Sequence, residues 1–301
     1  MRICVALVAL LACKGREPPL KSAPVQEAQV PAGSAAAPAV QTITTHCPQQ
    51  PFAESTPLAE ASGAAWLTID GALALVVVAD SGNDGAYAIL DPDTGETREQ
   101  GKLPLGGGDD DIEGLAAHGD RLYGLTSRGW MRVWRRHGKG FELVEGPYAI
   151  GQDSDGTSCA AKKGCPIDYE GLALAPEPHG CAGFACSKGD GHLYCLTEQG
   201  GHYVVDRARR IAVTSRKGQL ADCAFDERGT LWAGNNVFGL DQVYRIDNWQ
   251  APEAAKVVSF NAFGVGFPEV IAARDGVIYR MSDTGGAPSL LGKFRCSDAT
   301  R

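Results

Sequence analysis

Long runs of helical spacing are what this chain of 301 residues has least of. That scarcity argues against a helix bundle or an alternating α/β domain. Aromatic residues are few and scattered, at 7%. Basic residues are outnumbered by acidic ones, 28 to 36, for a formal net charge of −8. No basic stripe is present to displace counterions, so nucleic acid is excluded as a partner. The short Arg-rich pieces (Arg132, Arg135, Arg136 and Arg207, Arg209, Arg210) read as solvated turns. The common catalytic signatures are missing as well: no G-x-S-x-G elbow, no H-E-x-x-H and no G-x-x-x-x-G-K-[ST]. No C-x-x-C pair, zinc-type Cys/His cluster or C-x-x-C-H haem site occurs. The histidines (His46, His118, His137, His179, His192, His202) form no ligand spacing. Glycine, by contrast, is abundant, at 38 residues, and points to many short strands joined by tight turns.

The start of the chain has its own logic. Arg2 precedes an apolar run, Ile3 to Ala12, too short to cross about 30 Å of hydrocarbon as a helix. The run ends in Leu10-Leu11-Ala12-Cys13, which resembles the lipobox of bacterial lipoproteins. The resemblance implies a signal peptide over residues 1–12, cleavage before Cys13 and a lipid on its thiol. An ordinary secretory signal with an incidental cysteine is the alternative. Lys14 to Thr45 is rich in Pro, Ala, Gln and Ser, with no aromatic residue and only scattered branched apolar ones. Such a segment buries too little surface to offset its ordering entropy. Residues 13–45 therefore read as a lipidated cysteine and a disordered tether with a reach of about 30 Å. Lys14, rather than Asp, follows the lipid site. By analogy with enterobacterial lipoproteins this favours the outer membrane, on its periplasmic or surface face.

Cysteine usage agrees with export. Ten are present. With Cys4 removed and Cys13 lipidated, Cys47, Cys159, Cys165, Cys181, Cys186, Cys195, Cys223 and Cys296 remain, an even set suited to disulfides in an oxidising compartment. Proximity suggests Cys159–Cys165 and Cys181–Cys186 as loop staples. Cys47 and Cys296 lie at opposite ends of the domain and suit a bridge between its termini, which leaves Cys195–Cys223.

Residues 46–301 repeat themselves. Five segments share an acid, a small or apolar strand, a turn and a second strand, in most copies around Leu-Tyr or Leu-Trp. They start at Glu60, Glu113, Glu170, Asp222 and Glu269, 47 to 57 residues apart. A four-stranded propeller blade takes about 40 to 50 residues, so each repeat reads as one blade with loop insertions. Third and fourth strands follow in Tyr87–Leu90, Trp130–Trp134, His202–Asp206 and Gln242–Asp247. The expected fold is an all-β propeller of five blades, with a sixth, degenerate blade around Phe141 to Ile150 as the variant and a β-sandwich as the alternative. Propellers commonly close by lending a terminal strand to the last blade, and a Cys47–Cys296 bridge would lock that closure.

Three stretches carry a family likeness: Glu60-Ala-Ser-Gly-Ala with a later Val-Ala-Asp80, Asp111-Ile-Glu113-Gly-Leu-Ala, and Asp168-Tyr-Glu170-Gly-Leu-Ala. They resemble the E-x-S-G and D-x-E-G-[LI] marks of the SdiA-regulated and phytase-like propeller proteins, over roughly residues 55 to 285. The resemblance implies a secreted or periplasmic propeller, sometimes calcium-bound, with phosphoesterase activity only in the phytase-like branch. The chain departs from that branch in having no dense run of Lys and Arg to grip a polyphosphorylated ring.

Opening the innermost strand of each blade, Glu60, Glu113, Glu170, Asp222 and Glu269 would ring one mouth of the central channel, with Asp111 beside Glu113. A ring of carboxylates repels itself unless a cation or hydrogen bonds compensate it. Oxygen-only donors suit Ca²⁺. The alternative role is structural, each acid accepting backbone N–H groups of the next blade. Asp109 and Asp110 either join the cluster or form a solvated turn. Gln152-Asp-Ser-Asp-Gly-Thr157 starts like a calcium loop but lacks the distal Glu. Asp80–Gly85 reads as a turn pair. Two functions stay open. One is a monomeric, lipid-anchored module, not an enzyme, that binds an envelope protein or small ligand and takes Ca²⁺ for stability. The other is a Ca²⁺-dependent phytase-like phosphoesterase.

Overall fold

The structure, a computed structural model, describes residues 41–108, 110–151, 168–214, 219–238, 242–262 and 266–296. Cys13, the signal and most of the tether, Asp109, Cys159, Cys165 and the 152–157 motif lie outside the described residues. Two strands come first, β1 (Gln41–His46) and β2 (Ser55–Ala59). Five sheets follow. Blade 1 is β3 (Ala61–Ile69), β4 (Ala72–Ala79), β5 (Ala86–Leu90) and β6 (Thr97–Lys102). Blade 2 is β7 (Ile112–His118), β8 (Arg121–Thr126), β9 (Trp130–His137) and β10 (Gly140–Ala149). Blade 3 is β11 (Tyr169–His179), β12 (Cys181–Ser187), β13 (His192–Gln199) and β14 (His202–Ala212). Blade 4 is β15 (Leu220–Phe225), β16 (Leu231–Asn235), β17 (Gln242–Asp247) and β18 (Lys256–Asn261), and β1 joins it as a fifth strand, parallel to β18. Blade 5 is β19 (Phe267–Arg274), β20 (Val277–Asp283) and β21 (Pro288–Arg295).

Blade 5 lacks an outer strand of its own, and β2 supplies it, pairing antiparallel with β21. The ring therefore closes as the sequence suggests, with the N-terminal segment completing the last blade. Backbone bonds from Gln50 to the Lys293 carbonyl and from Arg295 to the Pro48 carbonyl run the closing segment along β21. The Cys47–Cys296 disulfide, spanning 249 residues of sequence, locks the seam. Strand β1 begins at Gln41, so ordered pairing starts inside the stretch assigned to the tether.

Adjacent inner strands touch in ring order, β3 to β7 to β11 to β15 to β19 and back to β3. The core is split accordingly into five apolar clusters, one between each pair of neighbouring blades. This explains the continuous run Leu75-Val-Val-Val-Ala79: it is buried on both sides because β4 has a blade on each side. The outer strand β6 alternates instead between half-buried and exposed residues.

Three sequence expectations need correction. Phe141 to Ala149 belongs to β10, the outer strand of blade 2, so no sixth blade exists there. In blade 3, Cys181-Ala-Gly-Phe-Ala-Cys-Ser187 is the second strand, which moves His192–Gln199 to third place and His202–Ala212 to fourth. That strand has no β-branched residue and passes for a loop. Its recognition rules out Cys181–Cys186, because five residues of strand separate their Cα atoms by about 16 Å, beyond disulfide reach. Cys181 is bonded to Cys195, and Cys186 and Cys223 are free thiols, so Cys195–Cys223 is absent too. Finally, the Arg-rich pieces lie on strands, and Arg132 is only 1% exposed. Its guanidinium donates to the Leu105 and Gly107 carbonyls and pins the glycine loop before Asp111.

Two outcomes follow. Replacing Cys47 and Cys296 by Ser is expected to cost about 2–4 kcal/mol, read as a lower urea midpoint under non-reducing conditions. Gly114→Ala is expected to cost about 3 kcal/mol. A Cβ there would stand 2.4 Å from the Leu172 backbone nitrogen, which has no side-chain freedom to give way.

Candidate functional site

Every inner strand carries a bulge at the same place. In blade 1 Ala61 and Gly63 face consecutive residues of β4, Ala79 and Val78, leaving Ser62 outside the ladder. Glu113 is skipped likewise between Ile112 and Gly114, Glu170 between Tyr169 and Gly171, and Glu269 between Pro268 and Val270. In blade 4 the irregularity falls between Leu220 and Cys223 and contains Asp222. A bulge detaches one residue from pairing and re-aims its side chain.

The bulge also explains the glycine that follows the acid. A Cβ on Gly63 would meet the Leu115 nitrogen at 2.8 Å, on Gly114 the Leu172 nitrogen at 2.4 Å, and on Gly171 Asp222 Oδ1 at 2.4 Å. The D-x-E-G pattern is thus a device for close approach between neighbouring inner strands. It also resets the alignment of the repeats. Ser62, not Glu60, is the blade 1 counterpart of Glu113, and Glu60 corresponds to Asp111 and Asp168.

The five bulge positions diverge in chemistry. Ser62 donates to the Ile112 carbonyl at 2.6 Å and joins blades 1 and 2. Asp222 is fully buried and accepts the backbone N–H of Cys223 at 2.7 Å and of Ile271, in blade 5, at 3.0 Å. It also accepts the Leu172 N–H of blade 3. Burial works against its charge; these donors and the nearby Arg280 work for it. Asp222 welds three blades in the way the structural alternative foresees.

Glu113, Glu170 and Glu269 instead converge, with one carboxylate oxygen of each within 4.8 Å of the others. A second group, Asp80, Asp111 and Glu113, meets the same distance and shares Glu113. Glu60 stands apart, its carboxylate accepting from Asn83 Nδ2 at 3.0 Å. Its φ of +52° turns the chain from β2 into β3. Asp110 accepts the N–H groups of Gly82 and Asp84 at 3.0 and 2.9 Å, which ties the Asp80 turn of blade 1 to the acidic loop of blade 2. Ser127 donates to Asp111.

Three members of the cluster escape sequence reasoning. Asp80 reads as a turn residue, yet the bonds of its turn to Asp110 hold it against Glu113. Asp168, two residues before Glu170 as Asp111 is before Glu113, shares a hydrogen bond with Glu170. Lys188 follows the misread strand β12; its ammonium lies 2.7 Å from Glu170 Oε2 and 3.5 Å from Glu269 Oε1. The Glu113–Glu170–Glu269 triad therefore already contains a cation, tethered to the chain.

Electrostatics follow from this crowding. Burial pushes the Glu113 carboxyl well above its ordinary range, and the charges of Glu170, Asp80, Asp111 and Glu269 push it further. Burial also raises Glu170, against the pull of Lys188. Asp80 and Asp168 are raised mainly by burial. Burial would favour a neutral Lys188, but Glu170 and Glu269 outweigh it and hold the ammonium charged. On the rim, Asn236 donates to Glu269 at 3.2 Å, and beside it the exposed rings of Phe238 and Phe267 meet at 5.0 Å, tilted by 48°.

No family model and no curated protein matches the sequence. Solved structures do resemble it. Glutaminyl cyclase of Myxococcus xanthus matches with a TM-score of 0.54 at 15% identity, covering 86% of this chain and 100% of that one. The PQQ-bound aldose sugar dehydrogenase of Streptomyces coelicolor follows, with a TM-score of 0.49, 16% identity and coverage of 86% and 99%. A calcium-binding protein, regucalcin, from Agrobacterium tumefaciens has a TM-score of 0.46 and 12% identity, with coverage of 85% and 97%. At such identities the likeness speaks for the fold alone.

The raised carboxyls carry a pH dependence with a definite sign. From about pH 4 upward the folded chain holds protons that the unfolded chain has released, so this contribution to stability falls as pH rises. In chelator, the urea midpoint is expected to drop between pH 5 and pH 8. Glu113→Gln should flatten that drop and stabilise the protein at pH 8 by about 1 kcal/mol. A midpoint that rises over this window, unmoved by the substitution, would show the acids settled in their charged forms.

Proposed function

We propose that the propeller is a lipid-anchored binding module of the cell envelope whose acidic mouth takes a hard divalent cation, Ca²⁺ by its ligand chemistry. The observation that carries the proposal is the Asp80–Asp111–Glu113 group, in which two blades contribute carboxylates within 4.8 Å of one another. Oxygens bound to one Ca²⁺ at about 2.3–2.6 Å lie at most about 5 Å apart, so the spacing suits the ion. Oxygen-only donors favour Ca²⁺ over zinc. The neighbouring triad already holds Lys188, which favours the Asp80 side for the cation. Binding there would draw the proton off Glu113 and relieve the repulsion among its neighbours. The exposed Phe238–Phe267 pair gives a ligand with an apolar part a place to rest beside the charged mouth.

The envelope location rests on Leu10-Leu11-Ala12-Cys13 and the tether that follows. The phytase-like alternative would use the same Ca²⁺ to bridge substrate phosphates. It is less favoured because Lys188 is held by Glu170 and Glu269 rather than free to face an anion.

Calorimetric titration of the full chain with Ca²⁺ tests the reading. A dissociation constant on the order of 10⁻⁴ M is expected, weakened roughly tenfold or more in the folded Asp80→Asn/Asp111→Asn variant as ligand charge is removed. Absence of both binding heat and thermal stabilisation would remove the cation from the proposal. Ca²⁺-dependent phosphate release from phytate or a phosphomonoester, lost in Glu113→Ala, would make the protein an enzyme. In cells, Cys13→Ser should move the protein out of the membrane fraction.

A further inference from the structure

Beneath the acidic mouth, blades 3 and 4 gather four cysteines into one apolar core with Phe184, Leu193 and Trp249. Cys181 and Cys195 are bonded to each other within blade 3. Cys186 and Cys223 are free and buried. Cys186 lies on β12 opposite Gly171, and Cys223 lies on β15 directly after Asp222. The missing Cβ of Gly171 lets β15 approach blade 3 closely: a Cβ there would stand 2.8 Å from the Cys223 nitrogen. The two thiols hydrogen-bond each other across the blade boundary. Cys223 Sγ also donates to the Phe184 carbonyl at 3.9 Å.

We propose that Cys186 and Cys223 are the reduced form of a further disulfide, one that joins blade 3 to blade 4 and is formed by exchange with an oxidised disulfide donor. One thiolate attacks a sulfur of the donor disulfide and expels the other donor sulfur as a thiolate. The second cysteine then attacks the protein sulfur of this mixed disulfide and releases the remaining donor sulfur. The protein loses two electrons and two protons, and the donor disulfide becomes two thiols. Burial raises both cysteine thiols in the closed propeller, which withholds the thiolate needed for attack. Exchange therefore belongs to the open chain, before blades 3 and 4 close, and the finished bridge is sheltered from later reduction.

The location gives the bridge a further effect. Cys186 precedes Lys188 by two residues, and Cys223 adjoins Asp222. A covalent tie between them would fix the strand that ends at the tethered ammonium against the strand that welds three blades. The inference stands on the thiol geometry and does not depend on cation binding at the mouth.

The test is a non-reducing peptide map. The full chain is unfolded, reduced, and refolded across a series of reduced and oxidised glutathione ratios, then alkylated in denaturant and digested. The expected map contains Cys181–Cys195 and Cys186–Cys223 linked peptides. In Cys186→Ser, Cys223 should become alkylated while Cys181–Cys195 persists. The proposal is overturned if Cys186 and Cys223 are both alkylated at every ratio that forms Cys181–Cys195, or if either links to another cysteine. The same map on protein purified without refolding decides the matter where refolding fails, by the same two outcomes.

Discussion

Five inner strands have to converge on one axis, and the space between neighbours at their tightest point governs the rest of the molecule. At Gly63, Gly114 and Gly171 that space does not admit a single carbon atom. The residue just before each glycine is pushed out of the ladder as a bulge, and its side chain is aimed along the channel or into the next blade. Blade packing, the acidic mouth and the sequence repeat all descend from that one contact. The weld at Asp222 is the same constraint met differently: a carboxylate there collects N–H groups from both neighbouring strands.

The mouth is a balance of charge rather than a uniform ring. Two carboxylate triads share Glu113, and the Glu113–Glu170–Glu269 one contains a cation supplied by the chain itself, Lys188. This asymmetry separates a half that holds its own ammonium from a half built of carboxyl groups and the hydroxyl of Ser127. Low permittivity sharpens the difference, because Glu113 and Glu170 are both buried. A cation of the kind proposed would compete with protons for the same oxygens, which would couple its binding to the ionisation of the mouth.

Much of the fold is legible in the chain because propeller blades repeat in sequence as well as in space. Acids 47 to 57 residues apart mark five blades, with Glu60 two residues ahead of the blade 1 bulge at Ser62, and Cys47 and Cys296 mark the seam that closes them. What stays hidden has local causes. Strand β12 is built of small residues and cysteines, so it passes for a stapled loop, and with it go the disulfide partners and Lys188. Asp80 is written in a turn and earns its place at the mouth only through bonds from Gly82 and Asp84 to a loop of the next blade. Arg132 looks like a surface charge because nothing in its neighbourhood of sequence reveals the carbonyls of Leu105 and Gly107 that surround it. Sequence spacing reports repetition well; it reports contacts between repeats poorly.

A residue held in a bulge makes no ladder bond to its partner strand, so its identity is weakly tied to strand pairing. The five bulges thus form a circle of addressable positions on a common frame. In this chain they read Ser62, Glu113, Glu170, Asp222 and Glu269, two of them bonding neighbouring blades and three converging as carboxyls. Such a frame can exchange one ligand chemistry for another by changing a few letters around the circle, with the barrel of strands beneath it left as it stands.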